Sequence, residues 1–504
     1  MALGLAGCNA VPVTTVISGH STESSVTTCF GEWPKVDALL VVDGSPSMAQ
    51  EAKLMAQAGR MIGDLYSRWE VTVNYRVAVI DAQVAQPGCD VGPDHAGRFI
   101  NTSCRERLDD FVTAASIEGP GADSRAEGCT DVCDLDTLRT LPSPATGDDE
   151  SRPRPWIDSM HHVTNLPDGI EPGDDLACRF PTGVDGCPFE APLEAMRRAI
   201  ERTQDPSDPA YGFMRPDAVL FVMFVTDEVD CSLRADINTL AEAFGNDAPT
   251  SAGCWNAGVR CEGSSPYASC EPTGDSALRP LDDYAELLRE INADKLERMP
   301  GVRSAVVVSA ITGVEHERVH YEDVVDADWM SSFGIGPGCT SNSAKAVPPV
   351  RLHELTQEFG EQAQWGASSA VPICDPNQWS DAIACVPGPD VGIDPCVDLC
   401  LADVDPETPE LEVDCRVEWA QPSGETLVLP PCHPESPWVP DGAEACGHVV
   451  LPSEALGPCA DRRMLEFVAS FGGRAGAGCL TFTCQTAPPE VCEQRSDELY
   501  YPPD

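Results

Sequence analysis

Residues Ala218 to Thr226 read Ala-Val-Leu-Phe-Val-Met-Phe-Val-Thr, an almost unbroken apolar run of strand length. A strand with one wet face alternates apolar and polar side chains. A strand with no polar interior position is covered on both faces, as central strands of parallel sheets are. Three more β-branched, apolar runs share this character: Val36 to Val42, Val71 to Ile80 and Ser304 to Ile311. Between the runs, apolar residues recur at helical spacing. Leu54, Ala58, Met61, Ile62, Leu65 and Trp69 form one such face, and Leu193, Met196 and Ile200 a second. Leu281, Tyr284, Leu287, Leu288 and Ile291 form a third, and residues 351–359 a fourth. Strands alternating with helices predict an α/β fold with a doubly wound, mainly parallel sheet.

Two stretches break the alternation. Residues 83–185 are rich in Gly, Pro, Asp and Cys with little periodicity, and are too long for a plain loop. They are expected to form a disulfide-pinned insertion at one edge of the sheet. Residues 388–504 lose the helical signal and gain cysteines, which predicts a small β-rich, disulfide-stapled module. The α/β domain is then expected over 35–387.

The 24 cysteines exceed what a reducing cytosol keeps as thiols, so the chain is expected to be exported and oxidised. No Cys-x2-Cys pair occurs, which argues against zinc ribbons and thioredoxin-type sites. Cys178 with Cys187, Cys254 with Cys261 and Cys396 with Cys400 are close enough for local bridges, although sequence alone does not set the pairing. Leu5-Ala6-Gly7-Cys8 is similar to a bacterial lipobox, which implies lipid attachment at Cys8. Residues 1–8 would then be a partial signal and 9–34 a polar, flexible tether. Neither Lys nor Arg precedes Cys8, so either the true start lies upstream of Met1 or the match is accidental. Without Cys8 the count is odd, leaving one thiol free or paired between molecules. On this reading the protein sits at the outer membrane or cell surface, or in the periplasm, held to a membrane only by its lipid.

Lys and Arg total 32 against 82 Asp and Glu, a formal net charge of -50. That field excludes nucleic acid and anionic lipid headgroups as direct partners and favours cations.

The chemistry-bearing segment follows the first strand directly: Val41-Val42-Asp43-Gly44-Ser45-Pro46-Ser47-Met48, then a helix. A loop at the carboxyl end of a buried strand can aim one carboxylate and two hydroxyls at a single point. Three hard oxygen donors in that arrangement suit Mg²⁺, with Ca²⁺ or Mn²⁺ as alternatives. Asp227 emerges at the end of the Ala218 strand and could face the same ion. Asp-x-Ser-x-Ser by itself is also an ordinary helix N-cap sequence, so its weight comes from the strand before it and the second strand-end Asp.

Together these segments resemble the von Willebrand factor A domain and its metal-ion-dependent adhesion site, from about Lys35 to Ala384. The resemblance implies that Asp43, Ser45 and Ser47 form the metal-binding triad, with Asp227 as the acidic residue on the later strand. It also implies an open coordination position that accepts a carboxylate from a protein partner. The family's usual Gly between the serines is Pro46 here, and its threonine ligand is missing. Glu190 falls about where that threonine would be, and stands either as a replacement ligand or as a surface acid in a helix's first turn. Glu228 and Asp230 are expected to be solvated loop acids, and Cys231 a bridge partner. The strings Phe224 to Ser232 and Glu194 to Ala199 further resemble those of cysteine-rich lipoproteins carrying this domain in myxobacteria.

One motif points to an enzyme. His316-Glu317-Arg318-Val319-His320 fits His-Glu-x-x-His, which on a helix holds zinc while the Glu acts as general base. Its flanks lack an apolar helical face, and no third ligand follows at a familiar distance. No Ser-His-Asp arrangement or Gly-rich phosphate loop can be read. The sequence therefore points to a metal-dependent binding protein without catalysis, with a zinc protease and a metal-free structural envelope protein as the alternatives.

Overall fold

The computed structural model describes residues 16–18, 23–30, 35–49, 51–68, 74–92, 95–113, 121–160, 163–246, 249–274, 276–299, 304–315, 319–341, 344–360, 370–379, 396–397, 414–421, 425–431, 445–450, 465–471 and 478–486. The chain divides into two compact units. One comprises Pro34–Arg68 and Asn74–Pro387, the other Met1–Trp33, Trp69–Val73 and Gly388–Asp504.

The larger unit is a mixed α/β structure around a mostly parallel sheet. Its strands are β1 (Lys35–Val42), β2 (Tyr75–Asp81), β3 (Ile157–Met160), β4 (Val163–Thr164), β5 (Ala218–Val225), β6 (Val306–Thr312) and β7 (Ala370–Pro372). Their order across the sheet is β4-β3-β2-β1-β5-β6-β7. The five from β2 to β7 run parallel, while β3 and β4 add antiparallel at the β2 edge. The helices are α1 (Ala52–Arg68), α2 (Pro172–Arg179), α3 (Pro192–Arg202), α4 (Leu281–Leu296) and α5 (Val350–Gly360), with shorter helices in the loops.

The missing alternation in β5 has its cause here. Leu220, Val222 and Phe224 pack with Met196 of α3, Leu288 of α4 and Leu355 of α5. The intervening Phe221, Met223 and Val225 are equally buried, so both faces of the strand are covered.

Residues 83–185 supply the edge strands β3 and β4 together with α2, which packs on α1. That approach needs glycine on α1. A Cβ at Gly59 would lie 2.4 Å from the Leu176 carbonyl oxygen, and one at Gly63 would lie 2.3 Å from the Gly173 nitrogen. Cys104–Cys129, Cys133–Cys178 and Cys89–Cys187 fasten this region. The local bridges expected from sequence spacing do not form. Cys178 pairs with Cys133 and Cys187 with Cys89, while Cys254 pairs with Cys231 and Cys261 with Cys270. Bridging requires Cα atoms within about 7 Å and converging Cβ vectors, conditions set by the folded backbone rather than by chain proximity. Cys400, the expected partner of Cys396, lies outside the described residues.

The second unit is antiparallel β. Its larger sheet has the order Val16–Ser18, Glu23–Phe30, Gly478–Gln485, Cys415–Ala420 and Thr426–Leu429. A three-stranded sheet is formed by Cys396–Val397, Leu465–Phe471 and Ala445–Val450. Val417, Trp419, Leu480 and Phe482 are buried, and Cys415–Cys484 links directly paired residues.

The flexible tether expected over 9–34 is corrected at this point. Glu23–Phe30 pairs with Gly478–Gln485 along all eight residues, and Ser25 Oγ lies 2.9 Å from Thr483 Oγ1. A Ser/Thr/Val-rich run is polar enough to read as a linker, yet its β-branched residues suit a paired strand. Cys8 lies outside the described residues. No described helix is long and apolar enough to cross a membrane. The disulfides belong to an oxidising setting, extracellular or periplasmic.

Candidate metal centre

From β1 the chain first moves outward to β2, then returns to place β5 on the other side of β1. The strand order reverses between β1 and β5, and open α/β sheets bind ligands at the carboxyl ends of strands at such a point. Val42 is in register with Val225, and the Asp43 amide extends the ladder by donating to the Val225 carbonyl at 2.9 Å. The loops carrying Asp43 and Asp227 therefore leave the sheet side by side.

The Asp43 carboxylate is tightly held. Its Oδ1 accepts the Ser45 amide at 2.8 Å, an Asx-type turn, and its Oδ2 accepts the Thr226 hydroxyl at 2.5 Å. Pro46 opens a short 3₁₀ turn, Pro46–Ala49, ahead of α1. This turn brings the two serine hydroxyls to 2.8 Å from each other. Ser47 Oγ donates toward Asp227 Oδ1 at 3.0 Å and Glu228 Oε1 at 3.3 Å. Asp43, Ser45, Ser47 and Asp227 thus form one connected cluster, and Asp43, Ser45 and Asp227 are almost wholly buried.

Glu190 is fully buried, so the surface-acid alternative is excluded. It precedes α3 rather than sitting in its first turn, because Ala191 is the N-cap residue. Neither of its oxygens meets a donor N–H or O–H, and the Asp43 carboxyl lies within reach to share a proton with it. Burial pushes its pKa well above the usual carboxylate range, and Asp43, Asp81 and Glu228 push the same way. The nearby Gly44 amide offsets this only in part, without a well-formed hydrogen bond. The expectation for Glu228 and Asp230 is also corrected, since both are buried. Glu228 Oε2 accepts the Ser251 hydroxyl at 3.1 Å, and Asp230 pairs with Arg351 at 2.9 Å. Cys231 is bridged to Cys254.

Three contributors were not singled out from sequence. Thr226, beside Asp227, donates to Asp43. Thr182 donates its hydroxyl to the Asp43 carbonyl at 2.9 Å, from a loop whose Gly186 amide donates to the Gly44 carbonyl at 2.8 Å. Glu51, just before α1, is buried with Oε2 unpartnered. Its pKa is raised to about 8, first by burial and then by Asp43. An acid at a helix start reads as a dipole partner, so only its burial distinguishes it. Asp227 is raised well above the ordinary range by burial, then by Glu51, Asp43 and Glu228. Asp43 is raised by burial, against hydrogen bonds from Thr226 and Ser45 and one shared with Glu190.

Buried carboxylates of one sign hold protons or a cation, because leaving them charged and alone costs several kcal/mol each. The donor set here is all oxygen, carboxylate and hydroxyl, and Glu190 and Glu51 present buried oxygens that meet no N–H or O–H donor. That chemistry fits a hard divalent cation such as Mg²⁺ or Ca²⁺. Among the described residues, the His, Cys, Asp or Glu ligand atoms that come within 4.8 Å of one another as a group of three are those of Cys104, Cys129 and Cys133, and no three carboxylates around Asp43 come that close. Those sulfurs are already in disulfides. Of the zinc motif, His316 and Glu317 lie outside the described residues, and His320 is exposed with Nε2 2.9 Å from Glu315.

No protein-family model and no curated protein matches the chain. Among solved structures, the chain is similar to a von Willebrand factor type A protein from Catenulispora acidiphila, at 9% identity and a TM-score of 0.28. That match covers 97% of this chain and 67% of the other. It is also similar to the open conformation of the pilus adhesin SpaC from Lactobacillus rhamnosus GG, at 9% identity and a TM-score of 0.29. There the match covers 94% of this chain, which spans 42% of the adhesin's length.

Proposed function

We propose that this chain is a metal-dependent binding protein of the cell envelope, with a von Willebrand factor A-type domain as its recognition element and no catalytic role. One observation carries the reading. At the switch point of a parallel sheet, Asp43, Ser45, Ser47 and Asp227 converge beside Glu190, whose two oxygens are buried and meet no N–H or O–H donor. Mg²⁺ bound there, or Ca²⁺ or Mn²⁺ in its place, would supply a Lewis-acidic position able to take a carboxylate from a protein partner. Asp43 is oriented for this by Thr226 and the Ser45 amide, and Ser47 links the first loop to Asp227. Glu190 would complete the donor set in place of a hydroxyl. Lipid attachment at Cys8 would hold the protein at the outer membrane or cell surface.

The test is thermal unfolding of the oxidised, chelator-treated chain titrated with Mg²⁺, Ca²⁺ and Mn²⁺. An ion at a hundred times its Kd raises stability by about 2.7 kcal/mol, and Asp43→Ala is expected to abolish that rise. A midpoint indifferent to all three ions would refute the reading. A midpoint responsive to Zn²⁺ alone and lost in His316→Ala would turn it toward a protease.

A further inference from the structure

Two of the disulfides within residues 83–185 meet in one buried cluster, away from the Asp43 loop. The sulfurs of Cys104, Cys129 and Cys133 lie within 4.8 Å of one another, although Cys133 is bonded to Cys178 and to neither of the others. Among the described residues, no other three cysteines come as close. All four are fully buried, packed with Phe111 and Leu138. A disulfide is an electrophile, and a thiolate held beside it exchanges with it. The surroundings of Cys133 suit a thiolate. The Arg105 guanidinium donates to the Cys133 carbonyl at 2.6 Å and to the Thr130 carbonyl at 3.2 Å, which sets a positive charge next to this residue. The Ser103 hydroxyl and the Leu135 carbonyl each lie 3.4 Å from the Cys133 sulfur. A bridged sulfur has no proton to give that carbonyl, so the contact becomes a hydrogen bond only when Cys133 is a free thiol. The cover over Cys133 is thin. Asp131, Asp134 and Asp136 around it are exposed, so opening of this loop alone uncovers the bridge.

We infer that these four cysteines form one thiol–disulfide exchange site, with Cys133 as its nucleophile. A small dithiol opens Cys133–Cys178, is itself oxidised to a disulfide, and leaves thiols at Cys133 and Cys178. The Cys133 thiolate then attacks the sulfur of Cys104 or Cys129. A bond from Cys133 to that sulfur forms and the Cys104–Cys129 bond breaks. The expelled sulfur leaves with the electron pair and takes up a proton. This second step is redox-neutral, and it moves the thiol from Cys133 to Cys129 or Cys104. The site stands independently of the metal-binding reading.

The experiment uses the full oxidised chain carrying Cys178→Ser, which frees the Cys133 thiol without any reductant. Thiols are trapped in mild acid and denaturant with excess N-ethylmaleimide, then located by peptide mass spectrometry. Cys133→Ser, which frees Cys178 instead, is mapped beside it, with circular dichroism reporting that both are folded. Wild type treated with limiting dithiothreitol is mapped in parallel and needs no variant to fold. In Cys178→Ser the label is expected at Cys104 or Cys129, with Cys133 bridged to the other. In Cys133→Ser it is expected at Cys178 alone, and in the wild type at Cys178 and one of Cys104 and Cys129. A label confined to Cys133 in Cys178→Ser, or to Cys133 and Cys178 in the wild type, overturns the inference. So does a Cys133→Ser chain that exchanges equally, because Cys133 is then not the nucleophile. A wild type whose four cysteines stay bridged while the dithiol opens other pairs overturns it as well.

Discussion

Two buried aspartates lie six residues apart, one on strand β1 and one just past its end, and they live in opposite electrostatic worlds. At the start of β1, Asp37 accepts the Arg215 guanidinium at 2.7 Å and the Arg215 amide at 2.6 Å. Around it Lys295 donates to the Arg215 and Ala218 carbonyls, and on β2 Arg76 pairs with Asp158 at 3.0 Å. Just past the strand's other end, Asp43 has hydroxyls and an amide, and among the described residues neither it nor Asp227, Glu190 or Glu51 forms an ion pair with a Lys or Arg. Both residues are equally hidden from water, so burial alone does not separate structure from function. Compensation does. A paired buried charge stabilises or specifies the fold, while buried carboxylates of one sign without a cationic partner hold either protons or a bound cation.

The largest effect expected from this contrast is at the paired end. Asp37→Asn strands the buried Arg215 charge and is expected to cost about 3–5 kcal/mol, read from chemical denaturation. Asp43→Asn, the same chemical change six residues on, should leave metal-free stability unchanged or raise it. It should also remove the ion-dependent gain of about 2.7 kcal/mol at a hundredfold excess over Kd. If both substitutions destabilise the metal-free chain equally, the comparison is broken.

The pH dependence sharpens the same point at smaller scale. Glu51 is raised to about 8 in the folded chain, against an ordinary carboxylate value near 4.5 when unfolded. Between those values the native state holds a proton that the unfolded state has lost, so metal-free stability should fall as pH rises across that window. Glu51→Gln should flatten the fall, and saturating Ca²⁺ should abolish it, both measurable as midpoint against pH. A metal-free stability that climbs with pH over this range would contradict the assignment. Last and smallest, His320→Ala on the exposed surface should change stability by less than about 0.5 kcal/mol and leave ion uptake intact, checked by the same titration.

Much of the architecture was legible because local pattern reports burial. The unbroken apolar run of β5 signalled a strand covered on both faces, and the spacing of Leu193, Met196 and Ile200 marked the buried side of α3. The Asp43 loop was equally readable, since a strand end followed by Asp-x-Ser-x-Ser and a helix fixes where those oxygens emerge. Glu190 was visible only as a residue in the right neighbourhood, and Glu51 and Glu228 were indistinguishable from the many solvated acids of a chain with 82 of them.

What only the tertiary structure decided is everything that joins distant segments. The Cys133–Cys178 and Cys89–Cys187 pairs span 45 and 98 residues, and no spacing rule selects them over nearer partners. The Glu23–Phe30 strand gains its identity from Gly478–Gln485, at the far end of the chain. The acidity at the ends of β1 and β5 depends on Asp43, Asp227, Glu190 and Glu51 being buried without an ion pair to any Lys or Arg among the described residues, which is a statement about three dimensions. Sequence determines which faces avoid water, because that preference is carried by each side chain and repeats with the backbone's own period. Which charges end up sharing a dry space depends on how those faces close on one another.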